Sequence, residues 1–281
     1  MSDTPHCYRH PGRETLVSCS ECGRPICEDC MTFAPVGIRC PDHANLGAVK
    51  PTPARTVQSV RRRTRALAAP ATMVLIALNA FVYLITAAQG GGINLPGGTL
   101  FYDWALQGLA VSNGDWWRLV TAMFLHGSML HLLFNMLALY WLGTIIEQAL
   151  GAPRFLLVYF VSGLAGSAGA LWFSSAIAVT VGASGAIFGL IGALLILEYL
   201  STGSLMGQAM VLIVVNLALT FAVPGISIGG HVGGLAGGII ATYALMRYRM
   251  PSQRVLGFAI AAGVGVASVA LAYIRVRGYV V

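Results

Sequence analysis

The 281-residue chain is 57% hydrophobic and only 10% charged, whereas soluble domains average roughly 45–50% apolar and about 25% charged residues. This composition predicts that most of the protein lies in lipid and excludes an ordinary soluble domain. The formal net charge of +7 raises the alternative of a nucleic-acid partner, but nothing else in the sequence supports one, and we expect none.

The first 45 residues contain all six cysteines and three of the six histidines. Eight of these nine residues form four pairs with two intervening residues each, a spacing with which two side chains bind one metal ion. The pairs are Cys7/His10, Cys19/Cys22, Cys27/Cys30 and Cys40/His43. Four pairs complete two tetrahedral sites without an open position, which predicts two structural zinc ions. His6 as a substitute ligand and a single bound ion are the alternatives.

The order of these pairs is similar to that of B-box zinc fingers, in which alternate pairs share a metal. This resemblance implies a small cross-brace zinc-binding domain over residues 1–45. On this resemblance the first set is Cys7, His10, Cys27 and Cys30, and the second is Cys19, Cys22, Cys40 and His43. Spacing alone does not give this pairing. The role of the domain is open between recruitment of a cytosolic partner, regulation and self-assembly.

A disulfide framework is the competing explanation for the crowded cysteines, but it requires an oxidising compartment. Five arginines lie just before the first long apolar run, and basic flanks remain on the cytoplasmic side of a membrane. They are Arg55, Arg61, Arg62, Arg63 and Arg65. The cysteines should therefore face a reducing cytosol. The first 30 residues also lack the features of a signal peptide, so we expect no removed presequence.

Residues 46–69, with Pro51, Pro53 and the arginines, predict a basic, flexible or extended linker. Seven apolar runs follow, and each approaches the roughly 20 residues that a spanning helix requires. The runs cover about 70–88, 123–146, 153–174, 182–200, 206–223, 229–247 and 255–274. We therefore predict an all-α polytopic membrane protein with seven transmembrane helices within residues 70–275 and a short tail, 276–281.

Arginine placement predicts how these helices are oriented, because basic loops stay inside. The predicted inner loops carry Arg154 and the three arginines within 247–254, whereas the predicted outer loop at 175–181 has no basic residue. Arg118 and two tail arginines do not fit this pattern, unless they snorkel into the headgroup layer. We expect a multi-pass protein of the cell membrane with a cytoplasmic N-terminus and an outer C-terminus.

The segment 89–118 between the first two spans is too long for a tight turn. It combines polar residues with Phe101, Trp104, Trp116 and Trp117. This mixture predicts a loop that lies in the membrane interface. An aromatic anchor belt and a role in gating substrate explain it equally well.

Three histidines follow the linker, His126, His131 and His231, and all are expected near the outer ends of spans. Ionisable groups are costly in a membrane and are usually functional there. His131 and Asn135 lie four residues apart and so share one helix face. His126 is explained as well by a polar cap as by catalysis, and we favour a structural or water-organising role.

The fourth span opens with Gly182, Ala183, Ser184 and Gly185. A serine at a helix start lies near free backbone N–H groups, which suits a nucleophile and an oxyanion. His231 lies among glycines that allow close helix packing and is the only candidate base. Because no acidic residue lies nearby to orient it, we predict a Ser-His dyad oriented by packing, without a catalytic cofactor. His131, Asn135 and the Ser184 N–H would donate to the oxyanion.

These clusters resemble the rhomboid intramembrane proteases, whose pattern is a His with Asn four residues later, a Gly-x-Ser-Gly and a later His before a Gly-rich face. Trp117, Arg118 and Glu147 also match the family. The resemblance covers about residues 70–275 and implies a six-helix core plus one C-terminal helix. It further implies a serine endopeptidase whose site opens to the outer face and cuts single-span substrates beside a small residue.

One position departs from the family pattern. Relatives often carry a Tyr one turn after the nucleophile, and this chain has Phe188, which keeps ring stacking on the catalytic His but lacks the hydroxyl. Taken alone, Ser184 is more often a packing residue in a membrane helix. A catalytically silent relative that binds membrane proteins, and a transporter, are the rival hypotheses; the sequence has no internal repeat of the transporter kind.

Overall fold

The computed structural model describes residues 4–34, 37–44 and 69–279. The chain consists of two units, Met1–Arg63 and Thr64–Val281, each compact by itself. The five arginines of the linker and linker residues 46–68 lie outside the described residues, as do the last two residues of the tail.

The N-terminal unit has little regular secondary structure in its described part. Two short strands, β1 (Thr32–Phe33) and β2 (Ile38–Arg39), pair antiparallel, with Thr32 opposite Arg39. A single 3₁₀ turn covers Glu28–Cys30. Among the residues of this unit that the structure describes, the buried ones are five of the six cysteines and Ile26. A core of this size buries too little apolar surface to offset chain entropy, so the fold depends on another stabilising interaction.

The described part of the second unit is mostly helical and contains ten α-helices. They are α1 (Pro70–Gln89), α2 (Gly98–Trp104), α3 (Gly108–Ser112), α4 (Arg118–Thr121), α5 (Met129–Leu150), α6 (Ala152–Phe173), α7 (Ser184–Thr202), α8 (Gln208–Ala222), α9 (Ile228–Arg247) and α10 (Arg254–Val276). Short 3₁₀ turns follow α4 at Ala122–Phe124 and α10 at Arg277–Tyr279.

Among the described residues, six helices are long and apolar enough to cross a membrane: α1, α5, α6, α7, α9 and α10. The predicted fifth span is the apolar helix α8, which has only 15 residues. At 1.5 Å per residue it is about 22 Å long, less than the roughly 30 Å of a hydrocarbon core. The prediction of an all-α polytopic membrane protein is confirmed.

The second predicted span starts later than its apolar sequence indicates. Residues 118–124 form short helical segments, and α5 begins only at Met129. Ser128 supplies the reason, because its extended backbone and its side chain, which accepts from the His131 N–H at 3.2 Å, cap the helix. Hydropathy does not detect such a cap.

Helix α9 packs closely against α6 and α7 through glycines. A Cβ atom at Gly234 would overlap the carbonyl oxygen of Gly185, and one at Gly238 would overlap that of Gly189. Close backbone approach through small residues is a main source of helix association in lipid, where the hydrophobic effect between helices is absent. This packing brings His231, near the start of α9, to the start of α7.

Two carboxylates cap neighbouring helices. Glu147 at the end of α5 is buried and accepts from the backbone N–H groups of Ala71 and Thr72, at 3.0 and 2.8 Å, at the start of α1. Glu198 of α7 accepts from the Ala209 N–H at 3.0 Å at the start of α8. Helix N-termini leave such donors unpaired and favour negative charge, so these contacts fix where α1 and α8 begin.

Candidate active site

Ser184 and His231 meet where α7 and α9 begin. The Ser184 Oγ lies 2.9 Å from the His231 Nε2, a hydrogen-bond distance, and His231 is only 8% exposed. Ser184 is the first residue of α7, so the backbone N–H groups around it lack intrahelical partners. A serine and an imidazole at this distance, at a helix start, have the arrangement in which a histidine can activate a serine hydroxyl.

Gly182 shapes the approach to Ser184. Its φ is +126°, a conformation that side chains rarely adopt, and a Cβ there would lie 2.8 Å from the ring of His131. Both the backbone and the available space therefore require glycine. The Gly182 N–H donates to the Ala122 carbonyl at 2.9 Å, which fixes this turn against the segment before α5.

Two side chains hold the His231 ring. Phe188, one turn after Ser184, stacks on it with ring centroids 4.0 Å apart and planes 18° apart. The Thr220 Oγ1 of α8 lies 2.7 Å from the His231 Nδ1 and is buried. Thr220 is not predictable from the sequence, because a single threonine in an apolar helix usually satisfies its hydroxyl on its own helix. Its position before a glycine-rich, histidine-bearing helix is the only signal, and it is a weak one.

His131 and Asn135 line the same cavity as Ser184 and His231, which has a volume of about 640 Å³. This volume is within the usual range for ligand pockets. The Asn135 Nδ2 donates to the His131 carbonyl at 2.8 Å. Since an amide nitrogen carries two hydrogens, a second donor remains for a group in the cavity. Gly182 and Gly185 are also among the lining residues.

His126 lies beside this site but does not line the cavity. It is fully buried, and neither ring nitrogen has a hydrogen-bond partner within the described ranges. Its ring meets that of His131 edge-on, with centroids 5.0 Å apart. A structural or water-organising role stays a prediction for this residue.

The segment between α1 and α5 is ordered by Arg118. Its guanidinium forms an ion pair with Asp115 at 2.9 Å and donates to the carbonyls of Ala105, at 2.8 Å, and Tyr102. Arg118 is buried within the protein among these partners. Leu106 and Thr180 exchange backbone hydrogen bonds of 3.1 and 2.9 Å, which connect this segment to the chain just before Gly182.

The cysteines and histidines of the N-terminal unit form two groups that could hold metal ions, with the ligand atoms of each group within 4.8 Å of one another. One is Cys7, His10, Cys27 and Cys30, and the other is Cys19, Cys22, Cys40 and His43. The His10 Nδ1 lies 3.3 Å and 3.4 Å from two sulfurs, and the Cys22 and Cys40 sulfurs are 3.9 Å apart. Tetrahedral zinc requires roughly 3.6 Å between nitrogen and sulfur and roughly 3.8 Å between sulfurs. The first group is close to these values, and in the second the Cys40 Sγ lies nearer to the His43 Nδ1, at 3.1 Å.

Around the second group, Asp42 connects several side chains. It accepts from the Tyr8 hydroxyl at 2.9 Å and forms ion pairs with Arg9 and with Arg24, the latter at 3.1 Å. The hydrogen bond from Tyr8 and the charge of the arginines hold the pKa of Asp42 below its ordinary value. Asp42 lies between Cys40 and His43 in sequence, so these contacts fix the loop that carries both ligands.

Comparison with known proteins gives one family match. The Rhomboid domain model matches residues 113–248. The chain is 39% identical over 178 residues to "Rhomboid protease GluP" of Bacillus subtilis (strain 168), covering 62% of this chain and 34% of that protein. It is 36% identical over 180 residues to "Putative rhomboid protease YdcA" of the same organism, covering 62% of this chain and 87% of the relative.

A plant relative, "RHOMBOID-like protein 5" of Arabidopsis thaliana, is 37% identical over 151 residues, which are 50% of this chain and 48% of that protein. The chain therefore spans less than two thirds of GluP and of this plant protein but most of YdcA. The matched domain, residues 113–248, contains Ser184, His231, His131 and Asn135.

Proposed function

The chain belongs to the rhomboid family, and we propose that it is an intramembrane serine endopeptidase. On this proposal it hydrolyses peptide bonds in or near the transmembrane segments of membrane-protein substrates. The observation that carries the proposal is the 2.9 Å contact between the Ser184 Oγ and the His231 Nε2 beside a cavity of about 640 Å³. A partly buried serine and a buried histidine meet here at a cavity wall, which is the placement that a nucleophile and its base require.

In the proposed reaction the His231 Nε2 takes the hydroxyl proton of Ser184 as the Oγ bonds to the scissile carbonyl carbon. The tetrahedral intermediate then expels the substrate amine, which receives the proton from His231. Water repeats these steps on the acyl-enzyme and releases the second product. The steps need one proton carrier and no metal or redox group.

The negative charge of the intermediate needs donors, and three groups at the cavity are candidates. They are the Asn135 Nδ2, the His131 ring and the backbone N–H of Ser184. One preorganised donor of this kind is typically worth about 2.7–4 kcal/mol in the transition state. Gly182 and Gly185 support them, because side chains at these positions would meet His131 and the carbonyl of Gly230.

We further propose a location in the cell membrane, with a cytoplasmic N-terminus and a catalytic site open to the outer face. The arginine bias of the loops supports this orientation. The proposed substrates are single-span membrane proteins that reach the site through the bilayer. A cytosolic partner of the N-terminal unit is a further part of the proposal, supported only by the modular form of that unit.

For the N-terminal unit we propose a B-box-like domain, over residues 1–45, that holds two structural zinc ions. Each of the two ligand sets has four protein donors, and a closed tetrahedral set leaves no position for substrate. Zinc in these sets would stabilise the fold and supply no step of the peptidase reaction. The predicted division into this domain, a linker at 46–69, a protease domain at 70–275 and a tail at 276–281 is part of the same proposal.

The deciding experiment for the activity incubates the purified protein in detergent with a model transmembrane substrate. Wild type should cleave it, and Ser184→Ala should not, because the activated oxygen is gone. Ser162→Ala is the matched control, since Ser162 is a buried serine of the same bundle that does not line the cavity. Cleavage by Ser184→Ala, or silence of the wild type against several substrates and a serine-directed fluorophosphonate, would contradict the proposal.

A further inference from the structure

The contact between Thr220 and His231 goes beyond a Ser-His dyad. Resting on the proposed function, we propose that Thr220 is a positioning residue: its hydroxyl oxygen accepts from the His231 Nδ1–H and so keeps the lone pair of Nε2 directed at Ser184. The catalytic unit would then have three members in series, Ser184, His231 and Thr220. The third is a neutral hydroxyl contributed by a different helix.

The direction of this hydrogen bond follows from counting hydrogens. A threonine hydroxyl has one hydrogen to donate. The Thr220 Oγ1 lies 2.7 Å from the backbone carbonyl of Asn216, which can only accept, so the hydroxyl hydrogen is directed there. The same oxygen lies 2.7 Å from the His231 Nδ1 and can only accept at that contact. Nδ1 therefore carries the ring hydrogen.

The consequence appears at the other ring nitrogen. A neutral imidazole with its hydrogen on Nδ1 has a lone pair on Nε2. The Ser184 Oγ lies 2.9 Å from this atom and is positioned to donate. With the opposite tautomer, Nε2 would carry a hydrogen and could not accept the serine proton. The ability of His231 to act as a base thus depends on whether the ring hydrogen is held on Nδ1.

The other contacts of the His231 ring do not favour one tautomer over the other. Phe188 stacks on the face of His231, which fixes the plane but leaves both tautomers equal. Within the described part of the chain, the hydrogen-bond partners of the His231 side chain are Ser184 and Thr220, and no carboxylate is among them. Thr220 therefore stands where soluble serine proteases carry an aspartate.

A purely structural role explains only half of this geometry. Threonines in membrane helices commonly bond to the carbonyl four residues earlier, as Thr220 does with Asn216. This common contact with the helix backbone does not explain why the Thr220 Oγ1 lies 2.7 Å from the His231 Nδ1. Thr220 is only 2% exposed, while its neighbours Leu219 and Phe221 are 53% and 65% exposed. It is one of only three buried residues of α8, so this turn of the helix faces His231.

The hydrogen bond between Thr220 and His231 connects α8 to α9. The ability of His231 to act as a base therefore depends on the position of α8. Three buried residues anchor this 15-residue helix. A displacement of its end by about 1 Å would lengthen the bond beyond hydrogen-bond range. The ring would then lose its tautomer preference while Ser184 and His231 stayed in place.

The test uses the full chain in detergent with three variants. Thr220→Val keeps the shape and removes the oxygen, and Thr220→Ser keeps the oxygen. Thr242→Val is the matched control, since Thr242 is fully buried in α9 and its hydroxyl has no partner among the described residues. Measurements are kcat and KM on a transmembrane substrate, the rate of Ser184 labelling by a fluorophosphonate, and the melting temperature.

We expect Thr220→Val to lower kcat and the labelling rate about tenfold, as for one neutral hydrogen bond, with KM within about twofold of wild type. Thr220→Ser should restore both rates to within about threefold, and Thr242→Val should leave them unchanged. Wild-type rates in Thr220→Val, an equal loss in Thr220→Ser, or an equal loss in Thr242→Val would overturn the proposal.

A second readout does not depend on activity or on the folding of the valine variant. In protein labelled with nitrogen-15 histidine, the shifts of His231, assigned by comparison with His231→Ala, report which nitrogen carries the hydrogen when the ring is neutral. We expect it on Nδ1 in wild type and in Ser184→Ala. A hydrogen on Nε2 would overturn the role of Thr220. Cleavage by Ser184→Ala would instead overturn the proposed function, so the two failures are distinguishable.

Discussion

In the N-terminal unit each half of a metal set comes from residues three apart in sequence, such as Cys7 and His10, whereas in the membrane unit Ser184 and His231 are 47 positions apart. Short spacing lets a few turns of chain assemble most of a site. A long spacing requires two helices to pack in one register. We therefore expect the N-terminal site to be lost when the metal ion is removed, and the site of Ser184 and His231 to be lost when the helix packing is disturbed.

Removal of metal from the N-terminal unit should have a larger effect than any substitution described below. A peptide of residues 1–45 should bind two zinc ions per chain and lose its fold completely on chelation, since its described core is Ile26 and five cysteines. Circular dichroism and metal analysis measure both. Cleavage by the full chain should continue in EDTA. A stable metal-free fold, or activity lost on chelation in a chain without residues 1–45, would break the comparison.

Loss of an oxyanion donor should come next. Asn135→Ala should lower kcat by about 10²- to 10³-fold with little change in KM, because such a donor acts mainly on the transition state. His131→Ala should act in the same direction. Steady-state kinetics in detergent measures this, with Asn79→Ala as the matched control, since Asn79 is a buried asparagine outside the cavity that also donates to the carbonyl four residues earlier. An unchanged rate in an Asn135 and His131 double variant would remove both from the site.

A substitution at the contact between α7 and α9 tests whether helix packing holds His231 against Ser184. Gly234→Ala should lower cleavage by about a hundredfold, because its Cβ overlaps the Gly185 carbonyl and moves His231 from Ser184. Gly263→Ala on α10 is the control, since a Cβ there meets nothing within 4 Å. The substrate assay and the fluorophosphonate rate report the loss. Equal activity in the two variants would show that the site tolerates a larger distance between α7 and α9.

Helix capping should give the smallest effect. Glu198→Ala removes the acceptor for the Ala209 N–H and should cost about 1 kcal/mol of stability, as for a lost N-cap. Glu198→Gln keeps an acceptor oxygen and should lose less. Thermal unfolding in detergent measures both, and an identical shift in the two variants would mean that the cap is not the source of the effect.

Several features were predictable because local patterns determine them. The four pairs from Cys7 to His43 specify metal ligands through spacing alone, and the start of α7 at Ser184 follows from glycine and small residues after a polar break. Apolar runs predicted the long helices. The start of α5 at Met129 was missed, because the Ser128 cap overrides the hydropathy of residues 123–128.

The amino-acid pattern alone specified the helical membrane class, the candidate nucleophile and base, and the candidate metal-binding residues, since composition, hydrophobic run length and ligand spacing act over a few turns of chain. Two features are seen only in the folded protein: α8 is too short for a full span, and its Thr220 contacts His231. Glycine contacts between α7 and α9 set which faces meet. The Thr220 hydroxyl meets His231 only when the helices pack together, so no local sequence pattern predicts this contact.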